Sequence, residues 1–423
     1  MEAYVSRGRG ERGVILIQAA ISILALTAFT AFVVDYGVLW VARAQAQNAA
    51  DAGALAGAIA LGFDDVNDPP TTNRPFNSAK LTALCASSPA GCPTAAPFAN
   101  PVWPSQTGAS SGVEVFFDCP PSFAGRCVHV NVYRNGSSGS VAVPTFLGPL
   151  LGITSQGVRA TATGRVVSGN STDCLRPWAV ADKWIENGTT AGQFNRWSST
   201  GTELTPHDTY RLPWDTSTDG PTGFQYPADV GYKQTLIAAQ AADSTIPIGW
   251  SLAVQLPDGA GGYTSGSAAY GAAIQTCVGK PVSIGQYLPT ENMGSGQTKQ
   301  GFDGLKAKDP NATWNATTKL VEHSCAPACA SFSPRIVPIA IFDMDDFQRR
   351  KNTNDRSPCP QSGGQCVRIV NILGFFADRR PTTGPNQDNV TGYLVSYPGD
   401  MSADAPALDL GSHAFLKVVQ LVR

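Results

Sequence analysis

The sequence predicts an α+β protein: a transmembrane helix continuing into an extended helix, a small α+β head, and a large β-rich domain outside the cytoplasm. Three observations carry this. The run Val14–Val34 has no charge, proline or glycine; no proline follows it until "GFDDVNDPP"; and apolar alternation begins only with "GVEVFFDC". At 423 residues, 43% hydrophobic and 15% charged, the chain is long enough for two or three domains with cores of their own. A net charge of −2 leaves no basic field, which argues against nucleic acid as a partner. With 43 Gly and 31 Pro, short strands, turns and long loops are favoured over a helical bundle.

The first element is the membrane span, residues 14–34. At about 1.5 Å per residue it covers about 30 Å, the thickness of a hydrocarbon core. Its polar members are Gln18, Ser22, Thr27 and Thr30. A cleaved signal has a shorter apolar region closed by a small-residue site; here "ARAQAQNAADAGALAGAIAL" simply continues the helix, so the span is expected to be retained. Arg7, Arg9 and Arg12 precede it and only Arg43 follows closely, so the positive-inside rule puts residues 1–13 in the cytoplasm. Everything beyond Asp35 then lies outside.

Residues 35–61 extend the helix. Ala42, Ala46, Ala49, Gly53 and Gly57 form a stripe of small residues, with Ala50 and Ala54 beside it. Such a stripe lets another backbone approach closely. A short polar helix is marginal alone, so the stripe should be covered, either by the chain's own globular part or by self-association with a second subunit.

Residues 62–168 read as the head. A Pro/Asp-rich elbow precedes one short helix in "FNSAKLTALC", then strands in "GVEVFFDC", "RCVHVNVYR", "GSVAVPTFL" and "GVRATATGRVV". Val128, Val130 and Val132 alternate with His129, Asn131 and Tyr133, the period of a half-buried strand. "VPTFLGPLLGITS" reads as a short apolar helix or loop seated on the membrane or the sheet. "SGNSTDC" marks a boundary, and 169–423 forms the large domain, with strands in "RPWAVADKW", "IGWSLAVQL", "RIVPIAIF", "VRIVNILGFF", "VTGYLVSY" and "FLKVVQLVR" and one helix around "GQTKQGFDGLKAKD".

The ten cysteines all follow the span, several as close pairs in Pro/Gly-rich loops. Cys85–Cys92, Cys119–Cys127 and Cys359–Cys366 read as local disulfides, Cys174–Cys277 as a long-range one, and Cys325 bridges Cys329 or another loop. The alternatives are reduced thiols or a zinc site at Cys325, Cys329, Cys359 and Cys366 beside His323. Other candidates are weak. "GSGQTKQG" lacks the spacing that cradles phosphate. "DTSTD" echoes a metal-dependent adhesion motif, but Pro213 breaks the strand it needs. Asp343, Asp345 and Asp346 end an apolar strand, where a cation or, more commonly, a solvated turn would sit. Trp178, Trp184, Trp197, Trp214, Trp250 and Trp314 are read as packing residues before glycan-groove residues. His129, His207, His323 and His413 are scattered. No catalytic residue, metal ligand or cofactor is assigned, and no enzyme is expected.

The N-terminal segment "RGERG", apolar run, "VVDYGVLWVARAQAQNAADAGALAGA" resembles the TadE/TadG-like family of the tight adherence (Tad, Flp-type) pilus-assembly machinery. The residues that carry the resemblance are Arg12-Gly13, Asp35-Tyr36, Arg43, Gln45, Gln47, Ala49-Ala50-Asp51-Ala52 and Ala54-Leu55-Ala56. It implies a pilin-like rod and head, anchored once in the bacterial inner membrane with the bulk in the periplasm. The implied role is TadG-like assembly and anchoring, with other Tad pilus-assembly proteins as partners. The alternative is a surface adhesin or cell-wall-binding protein on the same anchor. Processed pilins carry Glu at the fifth position after the cleaved Gly; after Gly13 that position is Gln18, so an uncut subunit is expected.

Overall fold

The structure, a computed structural model, describes residues 11–63, 105–107, 113–117, 119–121, 126–136, 140–239, 246–247, 249–277, 280–291, 296–325, 332–360, 364–402 and 414–422. The elbow after residue 63, the helix expected in "FNSAKLTALC", and Cys85, Cys92, Cys329 and His413 lie outside the described residues. The chain divides into two compact units, Met1–Leu61 with Thr72–Arg165 and Gln420–Arg423, and Gly62–Thr71 with Val166–Val419.

In the first unit, Glu11–Phe63 forms a single helix, α1. Its two halves differ in what surrounds them. Leu16, Phe29 and Trp40 are 73%, 67% and 66% exposed, whereas Ala46, Ala50 and Ala54 are at most 2% exposed. Among the described residues, α1 is the one helix long and apolar enough to cross a membrane. Its two threonines are satisfied within the helix: the Thr27 hydroxyl donates to the Ile23 and Leu24 carbonyls, and that of Thr30 to Leu26, at 2.8–3.0 Å. Self-satisfied hydroxyls are what a solvent without hydrogen-bonding groups requires.

The strands of this unit are β1 (Ser105–Thr107), β2 (Val113–Phe116), β3 (Arg126–Arg134), β4 (Val143–Pro144), β5 (Ser155–Gln156) and β6 (Val158–Ser168). β1, β2, β3 and β6 lie side by side in that order. β2 and β3 are antiparallel, pairing Val113 with Val132 and Val115 with Val130. All four valines are buried, with Val128, as alternation predicts. Asn131, expected on the open face, is also buried, because that face is roofed by its own polar side chains. Arg159 donates to the Asn131 carboxamide oxygen at 3.1 Å, His129 pairs with Thr163 at 2.8 Å, and Tyr133 donates to Glu114 at 2.7 Å. The strand expected through "GSVAVPTFL" shrinks to β4, which among the described residues pairs with β5 alone; the residues between them turn back through a 3-10 turn, Gly148–Leu151.

Cys119 and Cys127 are joined by a disulfide, tying the approach to β3 to its first turn. Replacing both with alanine should lower the unfolding free energy by about 2.5 kcal/mol in the chain-entropy treatment of a loop this short. Denaturant titration without reductant measures it, and an unchanged midpoint would show that the bond does not constrain the unfolded chain.

The second unit carries β7 (Ser171–Thr172), β8 (Trp178–Ala181), β9 (Lys233–Ala239), β10 (Trp250–Val254), β11 (Val282–Ser283), β12 (Tyr287–Glu291), β13 (Thr313–Asn315), β14 (Leu320–Glu322), β15 (Ile336–Phe342), β16 (Cys366–Arg379), β17 (Val390–Val395), β18 (Tyr397–Pro398) and β19 (Leu416–Val422). Its helices are α2 (Ser267–Gln275), α3 (Gln297–Ala307) and α4 (Met344–Asn352). The main sheet closes on itself. β10, β8, β15, β16, β17 and β9 are neighbours in turn, and β9 returns to pair with β10, giving a six-stranded barrel. Two of these pairings, β8–β15 and β9–β10, are parallel. Closure leaves no open edge on these six strands. β12 braces the ring by pairing with both β10 and β16.

Both faces of β8, β10, β15 and β16 are covered along most of their length. Along β15, Val337, Ile339 and Ile341 join one core cluster and Ala340 and Phe342 the other, which is why "RIVPIAIF" reads as an unbroken apolar run. α3 lies where its sequence places it and ends before Pro310. Disulfides join Cys174 to Cys277 and Cys359 to Cys366, and Cys325 is also disulfide-bonded. The Cys359–Cys366 bond takes two of the four thiolates that a zinc site would need.

Candidate functional site

The residues of the N-terminal segment converge on two contacts in the first unit. At the upper contact, the Asp35 carboxylate accepts hydrogen bonds from the backbone amides of Phe146 (2.6 Å), Leu147 (3.2 Å) and Gly148 (2.7 Å). These amides open the 3-10 turn, so their N–H groups have no intrahelical acceptor and point together, a ready seat for a carboxylate. The chain folds back here because Gly148 and Gly152 permit it: a Cβ on Gly148 would lie 2.4 Å from the Ile153 carbonyl oxygen, and Gly152 holds φ at +81°. The Ile153 amide closes the turn on the Gly148 carbonyl at 2.9 Å. An acidic residue at the end of an apolar run therefore has a structural partner, and its charge is met by dipoles.

Removing that carboxylate tests the contact. Asp35→Ala leaves three amides without their acceptor. Bonds to a charged group contribute on the order of 1.5–3 kcal/mol each, so hydrogen exchange at Phe146, Leu147 and Gly148 should rise about tenfold or more. Exchange unchanged from wild type would show that water serves these amides equally well.

The lower contact is the stripe. Ala42, Ala46, Ala50, Gly53, Ala54, Gly57 and Ala58 are buried, and Ala49 is half-buried. What covers them includes β6. A Cβ on Gly164 would lie 2.2 Å from the Ala54 carbonyl oxygen and 2.9 Å from the Ala58 methyl, so strand backbone rests on helix backbone. Gln47 fixes the register by donating to the Thr161 carbonyl at 3.1 Å and to Asp51 at 2.8 Å. Gln45 accepts from Arg134 at 3.4 Å. Of the two coverings expected for the stripe, the chain's own sheet is the one this contact supplies.

Tyr36, Arg43 and Gly13 stay outside these contacts. Tyr36 is exposed and stacks on Phe32 with ring centres 6.0 Å apart, Arg43 is exposed, and Gly13 has open space around it. Sequence reasoning names the helix side of both contacts and misses their receivers, the Phe146–Gly148 amides and Gly164. The only signal is compositional: "ATATG" puts its smallest residues on one strand face, and "PTFLG" offers amides next to a glycine.

In the second unit the candidate motifs resolve into structural roles. The glycines of "GSGQTKQG" lead into α3, and Asp388 accepts from the Gly296 and Lys299 amides at 3.0 and 2.9 Å, filling the place an anion would take. Asp215 in "DTSTD" accepts from the Ser217 amide at 2.7 Å, an exposed turn. Trp178 is buried with its indole N–H on the Tyr270 hydroxyl, and Trp184, Trp214 and Trp250 pack on a core cluster. Trp197 donates to Asp345 at 2.7 Å, and Trp314 stacks on Tyr393.

Asp343 departs from the expected solvated turn. It N-caps α4, accepting from the Asp346 amide at 2.9 Å, and is buried. β8 and β15 run parallel with Ala181 opposite Phe342, so Asp182 and Asp343 follow at matching strand ends. Asp182 accepts from the Phe224 and Lys183 amides and the Tyr210 hydroxyl at 2.8–3.1 Å. A Cβ on Gly223 would lie 2.1 Å from that carboxylate, so only glycine fits beside it. Desolvation by burial pushes Asp182 up to about 6 and Asp343 up to about 7. Among the described residues no cluster of His, Cys, Asp and Glu has the arrangement of a metal site.

Compared with known proteins, residues 13–60 match the family model described as putative Flp pilus-assembly TadE/G-like, the segment that carries the sequence resemblance. No curated protein and no solved structure matches the chain.

Proposed function

We propose that the chain is a membrane-anchored, extracytoplasmic component of a Tad/Flp-type pilus-assembly apparatus that works by assembly and not by catalysis. The observation that carries this reading is the coincidence of the matched segment with α1. The family segment spans both the apolar exposed half of the helix and the half seated on the unit's own sheet. On this reading helix and sheet serve as a pilin-like rod and head, and the barrel unit is the part offered to envelope or pilus partners. The topology is a single inner-membrane pass, cytoplasmic N-terminus and periplasmic bulk. It is supported by Arg7, Arg9 and Arg12 on one side and by disulfide-bonded cysteines on the other.

Deleting the gene and scoring surface pili tests the role. Loss of pili, restored by the wild-type gene, is the expected result. Normal pili with lost surface binding would instead assign the chain to adhesion.

A further inference from the structure

We infer that the β4–β5 hairpin tip is a second membrane contact, seated in the outer leaflet of the bilayer beside α1. The inference rests on the membrane-anchor reading and deepens it. The tip is apolar and open: Phe146 is 78% exposed and Ile153 43%, and Val141, just before β4, is 79% exposed. Large apolar side chains left open in this way are costly in water, at about 25 cal/mol per Å² of apolar surface. Their height along the helix is set by the Asp35 carboxylate, which holds the Phe146, Leu147 and Gly148 amides. Asp35 is also where the apolar run ends, with Val33 and Val34 immediately before it and still exposed. The carboxylate therefore pins the tip at the level where hydrocarbon gives way to headgroups.

Two further observations mark the same level. Tyr36 and Trp40, the aromatic residues just beyond Asp35, are 60% and 66% exposed, and amphipathic rings are enriched at membrane–water boundaries. Arg43 and Arg134 are exposed further on, and Arg134 reaches Gln45 at 3.4 Å, so two cations lie on the headgroup side of this level. The exposed apolar side chains of α1 and those of the tip thus meet at the level of Asp35, and the occupant that fits both is lipid. A second contact would fix the tilt and rotation of the head about its anchor, which a single helix leaves free.

The test is site-directed spin labelling of the full chain in lipid vesicles, with its native disulfides intact. Single cysteines replace Phe146, Leu24 in the middle of the apolar run, and exposed Ser199. Each label is read for its collision rate with oxygen, which concentrates in hydrocarbon, and with a water-soluble nickel chelate. The label at 24 should favour oxygen, that at 199 the chelate, and that at 146 oxygen at a depth of about 5–10 Å below the headgroups. Oxygen preference at 24 with chelate preference at 146 overturns the second contact and leaves the anchor standing. Chelate preference at 24 overturns the anchor and the inference with it. Combining Phe146→Cys with Asp35→Ala should shift the label towards the chelate at least twofold, because the pin is gone.

Discussion

Replacing Gly164 with valine should undock the outer half of α1 from its sheet. The new Cβ would sit 2.2 Å from the Ala54 carbonyl oxygen and 2.8 Å from its carbon, both helix backbone that no rotamer change can move aside. Overpacking a well-filled interior costs roughly 1–3 kcal/mol when side chains can yield. Here the obstacle is main chain, so about 3 kcal/mol or more is expected, with loss of the Gln47 bond to Thr161. The control is Thr161→Val on the same strand, whose side chain is exposed and which should change stability by less than about 0.5 kcal/mol. Denaturant titration of the detergent-solubilised chain reads both. Pilus production should fail in the glycine variant while its insertion into membranes is unchanged, because the apolar half of α1 is untouched. Wild-type stability in Gly164→Val would mean that helix and sheet are not packed as described.

How much of this is legible in the sequence depends on whether the signal is local. The full length of α1 can be read because helix formers run unbroken from Val14 and the hydrophobic length matches a bilayer. β3 is legible to the residue from its alternation, and α3 from "GQTKQGFDGLKAKD" and its closing proline. α2 escapes because "SAAYGAAIQ" has too few large apolar residues to show a period; only Tyr270 and Ile274 anchor it. α4 escapes because "MDDFQRRKN" looks like a charged turn, although Asp343 caps it and Asp346 and Arg350 lie one turn apart. Closure of the barrel is invisible: the β9–β10 pairing depends on the fold as a whole, and neither strand differs in composition from one at an edge. The same holds for the candidate site. The helix residues form a dense motif, but what Asp35 and the alanine stripe touch lies more than a hundred residues away in sequence.

The barrel unit should be more stable at pH 5 than at pH 7.5, the reverse of the usual carboxylate behaviour. Asp182 and Asp343 are almost fully buried, and burial holds them near 6 and 7 in the folded state against an ordinary 3.8. Between pH 4 and 7 the folded chain therefore keeps protons that the unfolded chain has already released. Stability falls as pH rises wherever the native state binds more protons, so the loss runs through this window and levels off above it. A tenfold difference in proton affinity between the two states is worth about 1.4 kcal/mol, which makes the full loss on the order of 3 kcal/mol for Asp182 and 4 kcal/mol for Asp343. Asp345, raised chiefly by burial, acts in the same direction. Asp309 is an opposing case: burial raises it, but bonds from Ser333, Ser324 and the Cys325 amide outweigh that and hold it low. Its stabilisation is lost only as pH falls below the ordinary carboxylate range, outside this window. Asp343→Asn keeps an oxygen to accept from the Asp346 amide and cannot ionise. It should match wild type near pH 4, exceed it at pH 7.5, and lose more than half of the pH slope. Denaturant titrations of both proteins at pH 5 and 7.5 decide it. An identical slope in the two would mean that Asp343 is already ionised at neutral pH, and that the Asp346 amide and Arg368, 3.8 Å away, compensate its burial.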